Sequence, residues 1–120
     1  MNKLLACFAA LVFAGPVAAQ VAAPPQLTLE HKMLLRCSAA FALIAYRQEA
    51  GHAEVQQYPP LKQRGSEFFV RASARVMDEA GLDRDGISRE LESEARTLLQ
   101  GGTLTAVMPV CLSALEASEK

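Results

Sequence analysis

The chain has 120 residues, 51% of them apolar, with 12 Lys and Arg against 13 Asp and Glu and a formal charge of −1. Such a length supports one domain with a modest core. The near-neutral balance excludes the strongly basic footprint of a nucleic-acid-binding domain, so no nucleic acid partner is expected.

In chain order, Met1-Asn2-Lys3 supplies one positive charge, Leu4 to Val17 is uncharged and largely apolar, and Val17-Ala18-Ala19 offers small side chains for cleavage. A short basic segment, an apolar core and a small-residue cleavage site define a secretory signal peptide, here residues 1–19. The run is shorter than the ~18–20 apolar residues that span a bilayer. Cys7 precedes the apolar core, so it is not read as a lipoprotein cleavage site. Arg36 and Ser38 interrupt the later apolar stretch from Met33 to Tyr46, so the processed chain is not expected to span a membrane. The expectation is a periplasmic or secreted protein beginning at Gln20. Removing the segment, with its single Lys3, leaves 11 basic against 13 acidic side chains, a charge near −2.

Export leaves two cysteines, Cys37 and Cys111, in an oxidising compartment where pairing is their expected fate. The loop closed would cover most of the domain, and the chain-entropy estimate is roughly 4.5 kcal/mol before any native-state strain.

Residues 20–27 read as a flexible leader, because Pro24-Pro25 favours extended backbone. A helical domain then runs over 28–118. Thr28 is the expected N-cap of a first helix, with Glu30 in its first turn. Met33, Cys37, Phe41 (or Ala40) and Ile44 recur at helical spacing, and Leu34, Leu35, Ala39, Ala42 and Ala45 widen that face until little polar surface remains. A helix apolar nearly all round is a central one. Gly51 supplies its stop.

Residues 52–58 read as an irregular connection. Pro59-Pro60 is expected in the first turn of a second helix, whose inner stripe is Leu61, Gly65, Phe68, Phe69, Ala72, Val76 and Ala80. Gly65 on that face predicts a close helix crossing, and Gly81 ends the helix. A third helix carries Ile87, Leu91, Ala95 and Leu98, with Asp83, Asp85 and Ser88 competing as its N-cap and Glu92–Arg96 as an i,i+4 pair. Gly101-Gly102 closes it. A fourth carries Val107, Val110, Cys111, Ala114 and Leu115, with Pro109 expected near its first turn. The fold class is therefore all-α, a compact bundle of about four helices in which the disulfide clamps the first helix to the last.

Chemical motifs are sparse. Asp83, Asp85, Gly86 and Glu92 partly resemble an EF-hand calcium loop, but Gly81 in the first position offers no side-chain oxygen and Ser88 stands at the hydrophobic eighth. The bland alternative, a turn rich in capping aspartates, is preferred. His31 and His52, beside Glu30 and Glu54, are too few for a zinc site with three protein ligands. No Cys-x-x-Cys-His or Gly-x-Ser-x-Gly occurs. Neither a metal, a cofactor nor a catalytic residue is expected, and the protein is read as a non-enzyme.

The surface feature that stands out is basic. Arg64, Arg71 and Arg75 fall within about 40° of one another around the second helix. Lys62 joins Arg64 in the first turn, beside free N–H groups that could hold an anion or an acidic partner surface. Pairing within the helix, Glu67–Arg71 and Arg75–Glu79, is the competing explanation. The expected function is an exported, non-enzymatic interaction protein of the cell envelope that presents a helix face to a protein partner. An acid-stress holdase is the alternative, and a small enzyme or ligand carrier a distant third. Acid-stress chaperones and immunity proteins share this size and helix content, an analogy of fold only.

Overall fold

A computed structural model describes residues 14–15 and 26–120. Nearly all of the expected signal peptide, and the leader up to residue 25, lie outside the described residues.

The first helix, α1 (Leu29–Glu49), begins at Thr28, whose extended backbone (φ −71°, ψ 167°) turns its hydroxyl onto the His31 N–H at 3.1 Å. The His31 ring closes a capping box by accepting the Thr28 N–H at Nδ1, 3.2 Å away, in the place where a Glu or Gln is usual. At the other end Gly51 takes φ +80°, a conformation that disfavours a side chain. Four helices follow in chain order among the described residues, with no strand: α1, α2 (Lys62–Ala80), α3 (Arg84–Gln100) and α4 (Leu104–Ser118). A short 3₁₀ turn, Ala53–Val55, sits in the connection expected to be irregular.

The central role of α1 follows from its composition. It buries Leu35, Cys37, Ser38, Ala39, Ala40, Phe41 and Ile44, and it touches α2, α3, α4 and the 3₁₀ turn. Phe41 packs edge-on against Phe68 of α2, ring centroids 5.2 Å apart. The expected close crossing at Gly65 is present. A Cβ there would stand 3.0 Å from the Cβ of Phe41, tighter than neighbouring side chains normally allow. Cys37 and Cys111 form the disulfide between α1 and α4, with Cα atoms 5.1 Å apart.

Several local expectations are corrected. Pro59-Pro60 precedes α2 instead of lying in its first turn. The Gln48 side chain explains why. Its Nε2 donates to the carbonyls of Val55, Tyr58 and Pro59 at 3.2, 3.3 and 3.0 Å, and its Oε1 accepts the Leu61 N–H at 3.2 Å. One amide thus gathers the connection around itself as far as Leu61, which is buried, as is Val55. In α4, Pro109 lies in the second turn, where the Thr105 carbonyl loses its helical donor on the exposed face. The buried stripe of α4 is Leu104, Met108, Cys111 and Leu115, at steps of four, three and four; Val110, about 100° away from Cys111 around the helix, is exposed. Asp83 wins the competition to cap α3, its Oδ1 accepting the Gly86 N–H at 2.7 Å. Residues 84 to 92 are then helix instead of a calcium-type loop.

Candidate functional site

Two faces of α2 carry the features relevant to binding, and they point in nearly opposite directions. The arginine stripe lies on one. Arg64 grips Glu119 with two parallel contacts, Nε to Oε2 at 2.9 Å and Nη2 to Oε1 at 2.5 Å. Arg71 donates from Nη2 to the Ser118 hydroxyl at 3.0 Å. Arg75 bridges Glu30 of α1 at 2.9 Å and Glu79, one turn on, at 2.7 Å. The Arg75–Glu79 pair was expected within the helix. Glu67–Arg71 does not form among the described residues: Glu67 accepts from Gln63 at 3.2 Å while Arg71 reaches α4. Each guanidinium of the stripe already meets an oxygen of its own chain.

The electrostatics follow from these contacts. Hydrogen bonding to Glu119 holds Arg64 above the usual arginine range, and bonds to Glu79 and then Glu30 do the same for Arg75. Reciprocally, Glu119 is held below the usual carboxylate range by Arg64. Glu79 is held down by the hydrogen bond from His31, then by Arg75. The His31 contact is a long-range tie. Its Nδ1 accepts from Thr28, so Nε2 carries the proton and donates to Glu79 at 2.8 Å. The chain Thr28–His31–Glu79–Arg75–Glu30 stitches the start of α1 to the end of α2. A second tie, Arg36 Nε to Glu94 at 2.7 Å, joins α1 to α3.

Lys62, the fourth residue of the basic cluster, is separated from the others. It pairs with Glu49 at 2.6 Å, which raises it above the usual lysine range. That pair stands at the rim of an open groove of about 560 Å³ between α1, α2 and α3. Its floor is α1, through Ser38, Ala42 and Ala45, with Gly65 beside it. One wall is α2, with Ser66 and Phe69; the other is α3, with Leu91, Glu92 and Ala95. Tyr46 is 72% exposed and Phe69 37% exposed at its mouth.

The groove was not foreseen. A helix apolar all round was expected to be covered all round, yet Ala42 and Tyr46 are exposed. The two helices that would cover them meet near the Gly81–Asp83 turn and leave this sector of α1 between them. Phe69, expected in the inner stripe, stands on the groove wall for the same reason. Glu92 faces the groove, and the expected Glu92–Arg96 pair is absent among the described residues.

Two further features bear on chemistry. His52 Nδ1 lies 3.3 Å from Glu54 on the exposed turn. Among the described residues no group of three or more His, Cys, Asp or Glu side chains could hold a metal ion, and no helix is long and apolar enough to cross a membrane. No protein-family model matches the chain, and no match was found among curated proteins or solved structures.

Proposed function

We propose that this chain is an exported, non-enzymatic interaction module of the cell envelope, periplasmic or secreted, that presents a helix face to a protein partner. The observation that supports this reading best is the open apolar groove over α1, rimmed by exposed Tyr46 and Phe69 on a scaffold clamped by Cys37–Cys111. Exposed contiguous apolar surface with aromatic anchors is characteristic of protein interfaces. The disulfide is compatible with an oxidising compartment. Rigid helices beneath the groove keep the entropy cost of binding low.

The test is site-specific photo-crosslinking in the cell envelope at native expression, with the crosslinker placed in turn at Tyr46 and at Arg71. One stoichiometric partner captured at either position is the expected result. A scatter of unrelated envelope proteins that grows after acid shock would replace this reading with the holdase. The holdase draws its support from one observation: the carboxylates of Glu79 and Glu119, which tie α2 to α1 and α4, depend on staying ionised.

A further inference from the structure

The groove's dimensions and charge indicate what it accepts. Ser38, Ala42, Ala45, Tyr46 and Glu49 share a sector of about 100° on α1, and from the first to the last the helix rises roughly 16 Å, three turns. Packing of two helices at the usual separation of ~8–10 Å needs small side chains where they cross. The floor provides them in Ser38, Ala42 and Ala45, the walls stand higher in Phe69 and Leu91, and Tyr46 rises from α1 at the mouth. An elongated trough with a low floor and apolar walls, open along its length, has the form of a helix-accepting groove. An enclosed pocket for a small molecule would bury its aromatics, whereas Tyr46 here stands mostly in solvent.

Charge then selects the partner. Three charged side chains line the trough, Glu49, Lys62 and Glu92. Lys62 and Glu49 satisfy each other at 2.6 Å. Glu92 is exposed and enters no ion pair among the described residues, so the trough carries one uncompensated carboxylate. The exposed ring of Tyr46, whose face attracts a cation, also lines the trough. We infer that the trough between α1, α2 and α3 binds an amphipathic helix of a protein partner, apolar on one face and carrying a Lys or Arg that meets Glu92. The inference rests on the binding-module reading and names the chemistry of its partner.

The arginine stripe takes no part in this contact. Around α2 it lies roughly 150° from the centre of the trough-facing set Lys62, Gly65, Ser66 and Phe69, so the two faces can be altered independently.

The test uses the oxidised protein and two designed helical peptides, each about 18 residues long, sharing one Leu/Ala face and one Trp and bearing either Lys or Glu at the flanking positions. The protein contains no Trp, so peptide fluorescence reports binding alone. The Lys peptide should saturate at micromolar concentrations and the Glu peptide should bind at least about tenfold more weakly. Ala42→Arg, at an exposed helical site, should abolish binding of the Lys peptide with an unchanged helical spectrum. Glu92→Lys should invert the preference between the peptides, and Arg71→Glu should change neither affinity. No saturable binding, equal binding of both peptides, or undiminished binding by Ala42→Arg overturns the inference. So does a concentration-dependent dimer, or displacement of the Lys peptide by laurate, because the trough would then belong to a second copy or to a single-chain amphiphile. If the envelope experiment captures a partner at Arg71 and not at Tyr46, the binding-module reading stands and the trough assignment falls.

Discussion

The two faces of α2 differ in what the rest of the chain does with them. On one, Arg64, Arg71 and Arg75 are met by Glu119, Ser118, Glu30 and Glu79, drawn from the end of α4 and the residue that follows it, from α1 and from α2 itself. On the other, Phe69, Ser66 and Gly65 look onto an apolar trough that no described part of the chain covers. Charge is the more conspicuous feature in a sequence, yet a charged side chain on a folded surface readily finds an oxygen nearby. Such pairs are individually worth ~0–1 kcal/mol, so their presence says little about binding. An uncovered apolar sector on the central helix has no such local remedy, since only another surface can remove it from water.

The strongest way to break this comparison is to remove the clamp. Cys37→Ala with Cys111→Ala frees α4 from α1, and with it the groups that occupy Arg64 and Arg71. The expected cost is ~2–5 kcal/mol in denaturant unfolding. The trough, made of α1, α2 and α3, should keep its peptide affinity in whatever fraction remains folded. A loss of peptide binding larger than the loss of folded protein would show that α4 shapes the trough as well.

A smaller perturbation addresses the connection between α1 and α2. Gln48→Ala leaves the carbonyls of Val55, Tyr58 and Pro59 and the N–H of Leu61 without their shared partner. Stability should fall by ~1–3 kcal/mol, and amide exchange should accelerate at Leu61 and Lys62 well before the middle of α1. Uniform acceleration across the chain would mean that the connection has no independent stability.

The weakest expected effect concerns the charged face and carries a definite sign. Glu79 and Glu119 have folded pKa values below their ordinary ones, so they stabilise the protein at neutral pH. That contribution is complete above the usual carboxylate range and is lost as pH falls through the depressed folded values. Melting temperature should therefore decline at acid pH, and Glu79→Gln with Glu119→Gln should flatten the decline while lowering the neutral-pH value slightly. An unchanged acid limb would place the sensitivity in other carboxylates, for instance Glu54, whose pKa is also lowered, chiefly by a hydrogen bond from its own backbone N–H.

Much of the fold was legible because its determinants are local. Thr28 caps α1, Gly81 ends α2 at φ +71°, and apolar residues recur at helical spacing, all within a few residues of chain. The disulfide followed from counting the cysteines that lie beyond the expected signal peptide. The His31 contribution to the cap was not read, because histidine is an unusual partner there. The ties that orient the helices were not readable either: Arg64–Glu119, Arg36–Glu94 and His31–Glu79 join residues 55, 58 and 48 positions apart. The arginine stripe was visible, and its occupants were not.

By itself the sequence determined an all-helical chain, the Thr28 cap of its first helix, the glycine stops of the first three helices, a central first helix and a covalent link from that helix to the last. Those properties come from backbone hydrogen bonding, helical periodicity and thiol chemistry, which act over short spans or between only two possible partners. The tertiary structure alone decided which side of α1 stays uncovered. That depends on how the helices rotate against one another, through Gly65 against Phe41, Cys37 against Cys111 and Gln48 holding the chain before α2. Helical periodicity states how much apolar surface must be buried; only packing selects the sector that is left uncovered.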